Sequence, residues 1–68
     1  MKTVDARGLS CPEPVILTKK ALASKEDRYE VLVDNVTAKE NVSRFASHQK
    51  YSVSVTEQED GFLLTLTR

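Results

Sequence analysis

The strand-like stretches of this chain are apolar on one side only, and that property restricts its fold more than any other. Tyr29-Glu30-Val31-Leu32-Val33-Asp34 alternates, with Tyr29, Val31 and Val33 on one face and Glu30 and Asp34 on the other. Tyr51-Ser52-Val53-Ser54-Val55-Thr56 sets apolar residues against small hydroxyls, and Phe62, Leu64 and Leu66 share one face of the last stretch, 62–67. Residues 2–6 repeat the pattern in short form, with Val4 and Ala6 opposite Thr3 and Asp5. A sheet of such strands is covered on one face and open to water on the other.

Two amphipathic stretches supply the cover. From Pro12 to about Ser24, Pro14, Thr18, Ala21 and Leu22 fall on one helical face, flanked by Val15 and Leu17, while Lys19 and Lys20 point away. Ile16 is expected to cover the flank with Ala23. In the second stretch Ala38, Val42, Phe45 and Ala46 recur at helical spacing. Thr37 with Glu40 three residues on reads as a capping box that starts this helix. Asp60-Gly61 is a hairpin signal.

The order is therefore βαβαββ, and the expected fold is an α/β two-layer sandwich with both helices on one face of a mixed four-stranded sheet. Right-handed crossovers make the first three strands run the same way, and the hairpin reverses the fourth. The order 1-2-4-3 puts the most apolar strand in the centre. In this topology the loop after strand one and Asp34-Asn35 after strand two lie at adjacent carboxyl ends, where both helix N-termini also point.

That rim carries the chain's only cysteine, in Gly8-Leu9-Ser10-Cys11-Pro12-Glu13-Pro14. Proline is tolerated in a first helical turn because those N–H groups have no intrahelical partner, so Cys11 is expected at or next to the helix N-cap. The positive helix end and a hydrogen bond from the Glu13 N–H would lower the thiol pKa modestly, against the opposing Glu13 carboxylate. Arg7 is a candidate to steady the anion or meet an acidic partner, and Gly8 to supply a positive φ or a close approach. Pro12 and Pro14 are expected to shape the site without reacting. Asp34, Asn35 and Asn41 are candidates for its rim, and turn or surface roles explain them equally well. A lone cysteine that merely fills a helix start is the competing reading.

Composition narrows the alternatives. The chain has 68 residues, enough for one small domain, and one cysteine forms no internal disulfide. Ten basic and ten acidic residues cancel, which counts against a general nucleic-acid binder. No apolar run reaches the ~20 residues that cross a bilayer. Met1-Lys2-Thr3-Val4-Asp5 has no apolar h-region, so no secretory signal is expected and a reducing cytoplasm is the expected location. His48 is distant from Cys11 and suits a helix C-terminus or solvent, and the two make no metal-ligand set.

Val4-Asp5-Ala6-Arg7-Gly8-Leu9-Ser10-Cys11-Pro12-Glu13-Pro14-Val15, centred on Cys-Pro-x-Pro, closely resembles the signature of the TusA/SirA/YedF family of small sulfur carriers. Asp34 to Ala46 resembles most the YedF branch, which is linked to selenium metabolism. The resemblance covers nearly the whole chain and implies the same SirA-like βαβαββ fold. It also implies that Cys11 takes sulfane sulfur as a persulfide from a cysteine desulfurase or other donor and passes it to an acceptor protein, with no cofactor or metal. In the YedF branch a DsrE-like domain usually follows, so residues 1–68 form a single domain that is either free-standing or the N-terminal part of a longer protein.

The residues suit that chemistry independently. A persulfide relay needs one accessible thiolate, and a second nearby cysteine would expel the sulfur by closing a disulfide. Two other function classes compete with it. One is a non-catalytic partner-binding module using the open sheet face, where Leu32 and Leu63 interrupt polar residues. The other is RNA binding, against which zero net charge and the lack of an aromatic pair on that face both count.

Overall fold

A computed structural model describes residues 2–9 and 13–68. Six elements follow one another: β1 (Lys2–Asp5), α1 (Glu13–Leu22), β2 (Arg28–Val33), α2 (Val36–His48), β3 (Ser52–Gln58) and β4 (Gly61–Thr67). The sheet order is β1-β2-β4-β3, with β1 parallel to β2 and β4 antiparallel to both of its neighbours. The expected βαβαββ sandwich and its strand order are thus the observed ones.

The one-sided alternation decides what is buried. Register places Val4, Val31, Leu64 and Val55 in one cross-strand row, and Lys2, Tyr29, Leu66 and Val53 in the next. In the two central strands Tyr29, Val31, Val33, Leu64 and Leu66 lose essentially all solvent contact. The helices meet them with smaller groups, Pro14, Thr18 and Ala21 from α1 and Ala38, Val42 and Ala46 from α2. Large residues on the strands against small ones on the helices allow close helix-on-sheet packing at crystal-like density. Thr18 enters this apolar layer because its hydroxyl donates to the Pro14 carbonyl at 2.9 Å.

Two tyrosines anchor the end of the sheet opposite the rim where β1 and β2 finish. Their rings meet edge to face at 5.8 Å. The Tyr29 hydroxyl accepts from the Glu26 N–H and pairs with Ser24 Oγ, both at 2.8 Å, while the Tyr51 hydroxyl donates to the Glu26 carbonyl at 3.0 Å. The turn between α1 and β2 is thereby stitched to the sheet.

Four expectations are corrected. The N-cap of α2 lies two residues before Thr37: it is Asn35, extended at φ −153° and ψ 160°, and its side-chain oxygen accepts from the Ala38 N–H at 2.8 Å. Asparagine with an extended backbone caps as well as threonine and stands nearer the strand end, so the Thr37 capping box is superseded. The hairpin turns on Glu59-Asp60, because Gly61 already pairs with Gln58. A Cβ on Gly61 would collide with the Val33 carbonyl oxygen, so this glycine serves close packing of β4 on β2. Ile16 remains 43% exposed, and Val55 is 47% exposed because β3 is an edge strand that the helices cover only in part.

Candidate functional site at the carboxyl rim of the sheet

The parallel pairing of β1 with β2 brings Asp5 opposite Leu32, so both chains leave the sheet side by side. The Ala6 N–H still donates to the Leu32 carbonyl at 2.8 Å, and Ala6 is fully buried. The backbone then turns through Arg7 and Gly8, the latter at φ 78°, a left-handed conformation that glycine adopts without a steric penalty. In that conformation the Gly8 N–H donates to Asp34 Oδ2 at 2.7 Å, across 26 residues of sequence.

Asp34 is itself oriented from the other side. The Asn35 side-chain amide donates to Asp34 Oδ1 at 3.0 Å, while Asn35 Oδ1 caps α2. One contiguous chain of hydrogen bonds therefore joins the loop after β1 to the first turn of α2. The Gly8 N–H, followed by the Asn35 amide, holds the Asp34 carboxyl below the usual carboxylate range. It stays anionic and keeps accepting from Gly8 through the neutral range.

Arg7 is engaged within the chain. Its Nε and Nη2 donate to the two carboxylate oxygens of Asp5, each at 2.9 Å, and its backbone N–H reaches the same group at 3.2 Å. This fork-to-fork geometry is the strong form of the pair. It holds Asp5 down at about 2 and keeps Arg7 firmly protonated, with Asp60 and Asp34 adding to the effect. Both side chains are about half exposed, so the pair orders the rim more than it stabilises the fold. Asp5 is the residue that sequence reasoning placed only as an outward strand position. Its spacing of two from Arg7, at the end of an extended segment, puts both on one face and was the available signal.

The remaining candidates divide as follows. Pro14 is buried in the first turn of α1, and Glu13 stands exposed at its start. Asn41 is half-buried in the second turn of α2. Gly8, Asp34 and Asn35 are brought together by hydrogen bonds, while Arg7, next to Gly8, pairs with Asp5. Cys11 and Pro12, on which the thiol expectations rest, lie outside the described residues. His48 is the last residue of α2 and is exposed. Among the described residues no three metal-ligating side chains gather, and no helix is long and apolar enough to cross a membrane.

The loop after β1 is thus tied to the start of α2 through Asp34 and Asn35. Comparison with known proteins identifies the family. A family model described as Sulfurtransferase TusA matches residues 2–68. A candidate sulfur carrier protein of Methanocaldococcus jannaschii is 40% identical over 62 residues, covering 88% of this chain and 83% of that protein. The crystal structure of a SirA-like protein from Desulfitobacterium hafniense superimposes with a TM-score of 0.91 at 35% identity, over 98% of this chain and 96% of that one. Matched over nearly its entire length in both sequence and fold, the chain belongs to the TusA sulfurtransferase family.

Proposed function

We propose that this chain is a cytoplasmic sulfur carrier, folded as a single domain over residues 1–68, in which Cys11 bears the cargo as a persulfide. The observation that carries the reading is the bond from Gly8 to Asp34. It fixes the chain three residues before Cys11, and the start of α1 at Glu13 fixes it two residues after. The described chain is thus anchored on either side of the cysteine segment, at Gly8 and at Glu13.

The chemistry balances without a cofactor. The Cys11 thiolate attacks the outer sulfur of a donor persulfide, the new S–S bond forms as the donor's own S–S bond breaks, and the donor departs as a thiolate. The proton on the outer sulfur stays with it, and no net oxidation occurs. Delivery repeats the step with an acceptor thiolate as the attacking group. The roles of this chain's residues are positional: Gly8, Asp34 and Asn35 set the loop, the Asp5–Arg7 pair orders its approach, and Pro12 and Pro14 shape the helix start. The donor is a cysteine desulfurase or a protein of like chemistry, and the resemblance to the YedF branch makes selenium an alternative cargo.

Incubation with a cysteine desulfurase and cysteine is expected to add about 32 Da per sulfur, removable by reductant. Cys11→Ser is expected to abolish the gain. Absence of any adduct with several competent donors would refute the carrier reading. The open sheet face, where Leu32 and Leu63 remain half-buried side by side, favours a second reading as a binding module. A partner captured equally well by Cys11→Ser and the native chain would support it.

A further inference from the structure

The two edges of the sheet are built very differently. β1 is four residues long and bounded by Lys2 and Asp5, the short charged form that natural sheets use to discourage further pairing. β3 runs seven residues as Ser-Val-Ser-Val-Thr-Glu-Gln. It pairs with β4 in unbroken register from Ser52 to Gln58, so no bulge twists its edge away. It contains no proline, glycine or lysine, and its single charge, Glu57, stands near one end. Among the described residues no loop or helix backbone hydrogen-bonds to its outer side. A long, regular, nearly uncharged edge is a template for another strand.

The side chains indicate which strand. The apolar row Val4, Val31, Leu64 and Val55 runs through two fully buried residues and ends at the edge in Val55, 47% exposed on the helix-bearing face. A second copy of β3, antiparallel and related by a two-fold axis through Val55, sets Val55 against Val55 and continues that row into the other sheet. The same register puts Ser54 opposite Thr56 on the open face, a hydroxyl pair of the kind that stabilises sheets. Glu57 falls opposite Val53, so no carboxylate faces a carboxylate. The segment is self-complementary.

We propose that β3 is a homodimerisation edge, joining two chains into one eight-stranded sheet with all four helices on one side. β1 lies at the opposite edge of the sheet, so the rim at Arg7 and Gly8 that follows it stands away from the junction. A junction of one strand pair is at the small end of specific interfaces, so the association is weak and reversible. It is independent of the carrier chemistry.

Sedimentation or NMR diffusion in reductant tests this between about 10 µM and 1 mM, the range over which a weak dimer of this kind forms. The native chain is expected to pass from monomer to mostly dimer. Val55→Lys, at a half-exposed position, is expected to stay monomeric, as is Thr56→Lys on the other face of the same strand. Ile16→Lys, equally exposed but on α1, is expected to dimerise like the native chain. Amides within 52–58 should exchange more slowly as native protein is concentrated. A native chain that is monomeric at about 1 mM overturns the proposal, and so does a dimer that survives both β3 lysines.

Discussion

The two glycines of this chain are required for different reasons, and substituting each separately tests the rim geometry. At Gly61 a Cβ would fall on the Val33 carbonyl oxygen, 3.0 Å from Asp34 Cα and 3.2 Å from the Val33 carbonyl carbon. All three obstacles are backbone at the end of β2 and the residue just after it, so relief means moving β4 away from β2. Overpacking of this sort costs about 1–3 kcal/mol, and a backbone obstacle belongs at the upper end. Reduced freedom of the unfolded chain returns about 0.4–1 kcal/mol, leaving Gly61→Ala destabilised by about 2–3 kcal/mol. For 68 residues the unfolding entropy is about 0.14 kcal/mol/K, so the melting temperature should fall by about 15–20 °C. At Gly8 nothing lies within 4 Å of an added Cβ, but φ is 78°. There the left-handed backbone costs alanine about 1–2 kcal/mol before the same entropic return, for a net loss near 1 kcal/mol. Asparagine tolerates that conformation, so Gly8→Asn should recover most of the loss, whereas Gly61→Asn should do no better than Gly61→Ala. Thermal and urea melts followed by circular dichroism measure all four variants. The Gly8 amide resonance should also move in Gly61→Ala, because Asp34 sits beside the collision. A loss below about 1 kcal/mol at Gly61, or rescue there by asparagine, would show that β4 does not press on the end of β2.

Two further outcomes follow from the site. Asn35→Ala should cost about 1 kcal/mol through loss of the α2 cap, while Thr37→Ala should be close to neutral; equal losses in urea melts would restore Thr37 as the cap. The Asp5 carboxyl should titrate at about 2 by NMR, and Arg7→Gln should return it toward 3.8. Because the folded value is depressed, the contribution of the pair is present above the ordinary carboxylate range and is lost as pH falls through about 2. High salt should shrink the difference between native and Arg7→Gln.

Local pattern alone determined the element order, the buried face of each central strand and the strand order, because an alternation of period two and a helical spacing of 3.6 leave few ways to cover a one-sided sheet. Tyr29, Val31, Val33, Leu64 and Leu66 could be assigned to the core without coordinates. So could the meeting of the loop after β1 with Asp34-Asn35, since parallel strands end side by side. Only the tertiary structure decided what each polar group does there. That Gly8 spends its N–H on Asp34 depends on a distance between segments 26 residues apart, and that Asn35 rather than Thr37 caps α2 and Arg7 turns back to Asp5 depends on local backbone angles that the residue pattern leaves open. The same holds for Val55, whose alternation marks it as interior although its strand lies at the edge. Burial is a property of neighbours, and side-chain hydrogen bonds are chosen by angstroms; neither is carried by the periodicity of a single strand.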